Sequence, residues 1–227
     1  ENRFLNHQTD ARATNNWIDI SGGIKGKIGS QIAYMFDAGY SLTTDQYFYM
    51  LNQSVYPNGT VLQHNTFNLI YDDLSTLRLG GHVRYSGPAL SMGVGGGFFQ
   101  YDTKDLDKAF GMPQFKLNGD VGYKFNVSGK LLTLQLGAEI LGARQALIQQ
   151  NIFNTNAVTP IGTIVSTAIQ TYELKPLIST QFMAQYNYTD RLAFFLSVNN
   201  LINNKNQIWH GYSQQGINVL LGARFTF

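Results

Sequence analysis

Hydrophobic and polar residues alternate along most of the chain, and this period of two residues predicts β-strands. The last twelve residues, Gly216 to Phe227, show the alternation most clearly. One face of this segment carries Ile217, Val219, Leu221, Ala223, Phe225 and Phe227, and the other carries Asn218, Gly222, Arg224 and Thr226. An apolar face opposite a polar face, ending on an aromatic residue, is typical of the closing strand of an outer-membrane β-barrel. We expect the apolar face to contact lipid and the polar face to line the lumen.

Eight earlier segments repeat this alternation, so the sequence predicts an all-β, antiparallel transmembrane barrel with about nine or ten strands in this chain. The strands are predicted over residues 17–28, 31–42, 67–85, 90–101, 114–125, 132–140, 173–188, 192–198 and 216–227. Leu174 is placed on the lipid face of the seventh strand. In the fourth strand Phe98 and Phe99 interrupt the alternation, which predicts a bulge or a change of face.

The connections between these strands alternate in length. Short turns are predicted near residues 29, 87, 128 and 190, and long loops over residues 50–64, 102–113, 147–170 and 202–215. Outer-membrane barrels have short periplasmic turns and long extracellular loops, so the first and last strands are both expected to descend toward the periplasm. The segment 147–170 is unusually apolar for an exposed loop. It either extends the strands above the membrane or serves as a partner-binding or lumen-folding element.

Nine strands leave the last strand without an antiparallel partner at the start of the chain. Single-chain bacterial barrels have an even number of strands, so two interpretations remain. Residues 1–16 form either a poorly patterned first strand of a ten-strand barrel or the end of an extracellular loop in a larger barrel. Their polar composition favours the larger barrel. The chain begins at Glu1 without Met, and we expect that a signal peptide or a longer segment has been removed upstream.

The composition agrees with a protein that faces lipid. Charged residues make up 13% of the chain, against about 25% in typical soluble domains. No run of about 18 apolar residues predicts a transmembrane helix. A net charge of +2 gives no reason to expect nucleic-acid binding. The absence of cysteine excludes disulfides and a lipidated cysteine within these 227 residues.

Charged and polar side chains on the lumen faces are the candidate functional residues. They are Arg78, His82, Arg84, Lys116, Asp120, Lys124, Glu139, Glu173, Lys175 and Arg224. Both signs are interleaved, which gives no consistent field for selecting an ion. We therefore favour a salt-bridged polar interior, with Lys116 or Lys124 paired to Glu139, over a selectivity surface for a permeating solute.

The sequence gives no reason to predict a catalytic, cofactor or metal site. The four histidines lack metal-ligand spacing with one another. Asp72 and Asp73 could suggest a rim enzyme, but adjacent residues of a strand face opposite ways. The glycine-rich run from Gly93 to Phe98 has no following helix and no Lys-Ser/Thr, so it does not predict a phosphate loop. We predict that the chain is not an enzyme.

The segment from Leu196 to Tyr212, followed by Gln215-Gly-Ile-Asn and a terminal Phe, resembles the C-terminal end of TonB-dependent receptors. Their penultimate strand commonly ends in V-N-N-L-F-N-K-K-Y. The matching residues are Val198, Asn199, Asn200, Leu201, Asn203 and Lys205, whereas Ile202 and Asn206 replace the usual Phe and Tyr. The Trp-x-Gly-Tyr and Gln-Gly-Ile-Asn sequences resemble receptors of the Bacteroidota. This motif covers about thirty residues, and the strand pattern extends the resemblance along the chain.

The resemblance implies a location in the bacterial outer membrane and uptake or passage of a solute. It implies a 22-strand barrel filled by an N-terminal plug, although nothing in this sequence resembles a plug or a TonB box. The implied partners are outer-membrane lipid, the barrel-insertion machinery, a plug domain, TonB and other outer-membrane subunits. Phe225 and Phe227 would form the C-terminal insertion signal. The alternative is a structural or accessory barrel subunit of a larger outer-membrane complex, with no transport of its own.

Overall fold

The computed structural model describes residues 16–55, 61–153 and 164–226, and these residues form thirteen β-strands. None of the described segments forms a helix with the length and hydrophobicity needed to cross a membrane. The strands are β1 (Trp17–Ile28), β2 (Ile32–Val55), β3 (Val61–Ser86), β4 (Leu90–Thr103), β5 (Phe115–Val127), β6 (Lys130–Leu141), β7 (Arg144–Phe153), β8 (Ile164–Leu174), β9 (Leu177–Asn187), β10 (Leu192–Asn199), β11 (Gln207–Trp209), β12 (Tyr212–Ser213) and β13 (Asn218–Phe225).

Nine of these strands form an antiparallel meander, which we call the wall. Its order is β1-β2-β3-β4-β5-β6-β9-β10-β13, and each strand pairs with the next. Because the direction alternates along an odd number of strands, β1 and β13 run the same way. The nine wall strands agree with the number predicted from the alternation of residues. Residues 1–15, for which the sequence predicts a loop end or a first strand, lie outside the described residues.

One face of the wall presents large apolar side chains without cover. On β1 the side chain of Ile20 is 72% exposed, and on β13 that of Leu221 is 76% exposed. The polar residues alternate onto the opposite face, as in Asp19 on β1 and Arg224 on β13. A continuous apolar surface like this one would cause aggregation if it faced water, whereas the lipid-facing surface of a barrel must be apolar.

The strands β2 and β3 are far longer than a membrane requires. A tilted transmembrane strand needs about 9–11 residues, whereas β2 has 24 and β3 has 26. The half of each strand nearest the long loops, which we call its upper half, therefore extends beyond the hydrocarbon layer. The predicted loop over residues 50–64 is corrected accordingly, because Met50–Val55 continue β2 and β3 already begins at Val61.

A β-bulge divides β2 into these two halves. The register runs from Thr43 opposite Leu74 to Gln46 opposite Asp72, so β2 carries one extra residue. Asp45 within the bulge has a φ of 54°. The extra residue exchanges the faces that even- and odd-numbered residues of β2 occupy. Phe48, which follows the bulge, therefore lies on the same face as Thr43, which precedes it.

The bulge predicted at Phe98 and Phe99 is wrong. The β3–β4 register continues unbroken through both residues, with Leu79 opposite Phe98 and Arg78 opposite Phe99. Two adjacent aromatic residues fit a regular strand here because each face of the wall accommodates one ring. Phe98 lies on the exposed apolar face, and Phe99 stacks on Tyr101 with ring centroids 6.1 Å apart and planes at 5°.

The apolar segment predicted as a long loop over residues 147–170 contains a hairpin, formed by β7 and β8. We call it the crossing hairpin, because β7 leaves the end of β6 and pairs in parallel with β2, from Met50 opposite Leu147 to Val55 opposite Ile152. β1 occupies the same edge of β2 only up to Thr43. The strands β2 to β6 and the β7 continuation of β6 therefore close into a ring at the long-loop end.

The predicted seventh strand is divided in the structure. β8 ends at Leu174 and β9 begins at Leu177, because Pro176 has no N–H to donate and restricts the residue before it. The expected lipid-facing position of Leu174 is wrong, since its side chain is 1% exposed and lies inside the fold. Glu173 belongs to the crossing hairpin, and Lys175 lies in the break, so neither is on a wall strand.

The main hydrophobic core lies at the long-loop end. It comprises Phe48, Met50, Leu74, Phe110 and Leu147. Phe110 comes from the loop between β4 and β5, and its ring meets that of Phe48 edge to face at 6.4 Å. The core therefore joins the upper half of β2, the crossing hairpin and this loop into one unit, and the candidate site lies beside it.

Candidate functional site

A largely apolar cavity of about 260 Å³ opens where β2 and β7 diverge below the Met50–Leu147 pair. The upper half of β2, the β4–β5 loop, the crossing hairpin and the β10–β13 loop all contribute to it. We call it the aromatic cavity. It is lined by Gln46, Tyr47, Phe48, Tyr49, Leu51, Phe67, Phe110, Gly111, Met112, Gln145, Ala146, Leu147, Leu174, Trp209 and His210.

The ring of Tyr49 is at the centre of the aromatic contacts. It meets Tyr47, Trp209 and Phe67 edge to face, with centroids 5.7, 5.9 and 6.5 Å away. Such contacts stabilise aromatic pairs by about 0.5–1.5 kcal/mol beyond burial. Burial also raises the pKa of the Tyr49 phenol, with a smaller contribution from Tyr47. The phenol therefore stays uncharged at neutral pH.

Arg144 connects the crossing hairpin to the β10–β13 loop. Its guanidinium donates to the carbonyl oxygens of Ile208 at 2.9 Å and Gln207 at 3.0 Å. The side chain is buried, and these two bonds use the fork geometry that arginine offers. They hold the adjacent residues Trp209 and His210 against the cavity.

Asp72 anchors the loop that supplies the other side of the cavity. Its carboxylate accepts hydrogen bonds from the backbone N–H groups of Asp73, Asp105 and Leu106, the shortest being 2.7 Å from Leu106. Asp72 is 5% exposed, whereas the carboxylate of Asp73 is half exposed and lies 3.7 Å from Lys104. The two carboxylates therefore occupy separate environments, and they do not form an acid pair.

Two side chains in the lining carry buried polar atoms that lack a hydrogen-bond partner within the described part of the chain. They are His210 Nδ1 and Gln145 Oε1. Burial lowers the pKa of the His210 imidazole, and its ring lies 4.4 Å from that of Tyr172. His210 is therefore neutral at pH 7, and its unprotonated ring nitrogen can accept a hydrogen bond.

The predicted lumen residues lie mainly on one face of the wall, where three ion pairs form. Arg78 binds Asp19 through two hydrogen bonds of 2.9 and 3.1 Å. Arg84 lies 3.6 Å from Asp120, and Lys116 lies 2.7 Å from Glu139 as one of the two predicted pairings. These pairs balance charge along the face. That this face lines a solute path stays a prediction.

The remaining candidates are dispersed. His82 lies on β3 between the two arginines, beside a depression of about 270 Å³ that also contains Asp37 and Gly80. Lys124 and Arg224 lie on β5 and β13. Glu173 is separate, since it lines a second cavity of about 460 Å³, the polar cavity, with Tyr101, Asp107, Lys108, Ala109, Met112, Gln114, Ala143, Arg144 and Gln145.

Sequence reasoning missed the aromatic cavity because most of its lining lies outside the predicted strands, with Phe67 and Leu174 as the exceptions. Gln145, Trp209 and His210 are distant in sequence, and no periodic signal joins them. The apolar composition of residues 147–170 was the available indication, and it predicts only an interface or lumen-folding element. Among the described residues, no cluster of three His, Asp or Glu side chains could hold a metal ion.

Comparison with known proteins identifies the fold. No family model matches the sequence, and no curated protein matches it. The pyoverdine outer membrane receptor FpvA of Pseudomonas aeruginosa PAO1 matches with a TM-score of 0.64 and 16% identity, covering 94% of this chain and 30% of that one. The FrpB iron transporter of Neisseria meningitidis matches with a TM-score of 0.61 and 14% identity, covering 96% of this chain and 32% of that one. The siderophore receptor PirA of Acinetobacter baumannii matches with a TM-score of 0.62 and 12% identity, covering 94% of this chain and 32% of that one.

These similarities confirm the expected all-β outer-membrane barrel fold. The chain spans about a third of each of these three solved chains. The expected outer-membrane location agrees with the location in the name of FpvA. At these identities the comparison concerns the fold, and the Bacteroidota type stays a prediction.

Proposed function

We propose that this chain forms part of the barrel of a TonB-dependent receptor-like protein, which takes up a solute across the bacterial outer membrane. The observation that carries the proposal is the combination of a lipid-type apolar face on the wall with an aromatic cavity at its long-loop end. A cavity among the extracellular loops is positioned to bind solute arriving from outside the cell. The similar solved proteins include a pyoverdine receptor, an iron transporter and a copper transporter.

The opposite face of the wall supports this role. Its ion pairs between Arg78 and Asp19 and between Lys116 and Glu139 keep charged groups stable away from lipid. A polar face with balanced charge suits contact with a lumen-filling plug domain and with a passing solute. Within this proposal TonB and the plug are the partners that open the path, and the wall is the fixed element.

Comparative depletion of medium solutes tests the proposal, whichever solute the receptor takes up. A strain of the natural host that lacks the gene and the same strain with the gene restored are grown in one complete medium extract. Mass spectrometry then follows every detectable solute over time. We expect at least one solute to be depleted only when the gene is present. Identical depletion in both strains, with the protein present in the outer membrane, would instead support a structural subunit.

A further inference from the structure

We propose that the aromatic cavity binds an uncharged aromatic ring that donates hydrogen bonds, and that His210 and Gln145 accept those bonds. The inference rests on the proposed uptake function, since it names the chemical group of the solute that the receptor recognises. It concerns one part of the solute, and it follows from the volume, the charge and the unpaired polar atoms of the cavity.

The volume limits the size of the bound group. A cavity of about 150 Å³ accommodates benzene in an otherwise packed protein, and pockets for drug-sized molecules measure about 300–1,000 Å³. The aromatic cavity, at about 260 Å³, lies between these limits. It therefore fits a bicyclic ring or a substituted single ring. The edge-to-face arrangement of Tyr49 and Trp209 offers such a ring the same kind of contact.

The charge of the lining selects an uncharged group. No Asp, Glu, Lys or Arg is among the described residues that line the aromatic cavity, and His210 is neutral at pH 7 because burial lowers its pKa. Burying an ion without a counter-charge is costly. The polar cavity differs in this respect, since Asp107, Lys108 and Glu173 all line it. An ionised group of the solute would bind better there.

Gln145 Oε1 accepts hydrogen bonds, and His210 Nδ1 accepts in the tautomer that carries the proton on Nε2, so the two unpaired atoms select a hydrogen-bond donor. His210 Nδ1 and Gln145 Oε1 are buried and have no partner in the described structure, and leaving such an atom unpaired is unfavourable. A small rotation of either side chain toward the cavity lets a donor on the ring restore the bond. Sites with unpaired buried acceptors reject analogues that lack the donor, because such an analogue leaves the acceptors unpaired.

Four indole compounds test this specificity on the natural protein extracted from outer membranes in detergent. Indole is uncharged and bicyclic and has one N–H donor. 1-Methylindole has the same ring without the donor, indole-3-acetate carries a negative charge, and tryptammonium carries a positive charge. Equilibrium dialysis measures binding, with protein-free micelles as the blank. We expect indole to bind at least about tenfold more tightly than each of the other three.

Substitutions locate the binding. Because the single N–H of indole can bond to either acceptor, the double variant Gln145→Leu/His210→Phe should weaken indole binding about three- to tenfold and remove its preference over 1-methylindole. His210→Gln keeps a neutral acceptor and should retain most of the affinity, which separates acceptor loss from misfolding. Gln170→Leu on β8 lies outside the cavity lining and should bind indole as the natural protein does.

The outcomes separate this inference from the proposed function. Equal binding of indole and 1-methylindole would overturn the role of the acceptors, and tighter binding of either ion would overturn the uncharged class. If no probe binds but the depletion experiment finds a transported solute, the inference fails and the uptake function stands. If indole binds with the expected preference but no solute is depleted, the cavity is supported and the uptake function fails.

Discussion

The side-chain amide of Asn200 donates a hydrogen bond to the carbonyl oxygen of Gln215 across 2.7 Å, which ties together the two ends of the β10–β13 loop. The same side chain exchanges two hydrogen bonds of 2.8 Å with the backbone of Asn204. Asn200 is 3% exposed and has a φ of 54°, which asparagine tolerates better than most residues. This residue of the receptor-like motif therefore positions the loop that carries Trp209 and His210.

Replacing Asn200 should loosen this loop. Asn200→Ala removes a side chain that makes three hydrogen bonds and leaves partly buried backbone groups unpaired, so we expect a loss of about 1–3 kcal/mol in local stability. Limited proteolysis followed by mass spectrometry measures it as faster cleavage between residues 200 and 217. Asn199→Ala is the matched control, because that neighbouring side chain is exposed. Equal cleavage rates in the two variants would contradict the role of Asn200.

Asp72 should control the β4–β5 loop in the same way. Asp72→Asn replaces one carboxylate oxygen by an amide that cannot accept from the N–H groups of Asp105 and Leu106. Hydrogen exchange over residues 104–112 should become faster, by an amount equivalent to about 1–3 kcal/mol. Asp73→Asn removes the same charge but only a solvent-exposed ion pair with Lys104, so it should alter this exchange much less. If Asp73→Asn accelerates exchange as much as Asp72→Asn does, the anchoring role is wrong.

Adjacent positions of β6 should differ strongly in how much an added charge destabilises the protein. Leu136 lies on the exposed apolar face of the wall, and Gln135 lies on the other. Leu136→Arg should destabilise the protein by about 2–4 kcal/mol, because arginine is unfavourable on a lipid-facing strand near the midplane. Gln135→Arg should cost much less. Unfolding by urea in lipid vesicles measures both variants, and the opposite ranking would mean that the faces are assigned the wrong way round.

The wall could be predicted because each strand carries its own signal. In β5 and β13 every second residue is apolar. Because one face of the strand contacts lipid and the other carries polar groups, only one pairing register with the neighbouring strand satisfies both faces. The crossing hairpin could not be predicted in this way. Its pairing with β2 depends on a parallel contact with a strand that is distant in sequence, and no local alternation specifies such a contact.

Individual misassignments have equally specific causes. The alternation continues through Lys175 and Pro176, so it predicts one strand where the missing N–H of proline makes two. The bulge is predicted at two adjacent aromatic residues, whereas it lies at Asp45 in a polar segment where no hydrophobic signal marks it. The ion pair of Lys116 and Glu139 could be proposed because both residues are on regular neighbouring strands.

Acidification should disturb the aromatic cavity through His210. Burial lowers its pKa below 6.5 in the folded protein, so the unfolded chain binds this proton more readily. The contribution to stability is therefore complete above pH 6.5 and is lost as the pH falls through the folded-state pKa. The phenol ring of Tyr172 on β8 contacts the His210 ring, and the phenols of Tyr47 and Tyr49 on β2 line the same cavity. The guanidinium of Arg144 on β7 binds two backbone carbonyl oxygens of the loop segment just before His210.

Trp209 fluorescence measures this effect in a protein that carries Trp17→Phe. We expect a constant emission maximum from pH 8 to about 6.5 and a red shift below that range, as protonated His210 leaves the cavity and Trp209, which is 44% exposed, becomes more hydrated. His210→Gln should abolish the shift. A shift of the same size in His210→Gln would assign it to another group.

Cysteine labelling on intact cells tests the central claim, an outer-membrane wall with its aromatic cavity facing outward. The 227 residues contain no cysteine, so one substitution gives one labelling site in this chain. Lys108→Cys and Lys205→Cys lie in the long loops, and Ser30→Cys and Asp190→Cys lie in the short turns. A membrane-impermeant maleimide should label the first pair on intact cells and the second pair only after the outer membrane is disrupted. Labelling of the short turns but not the long loops on intact cells, or of no site before disruption, would contradict the account.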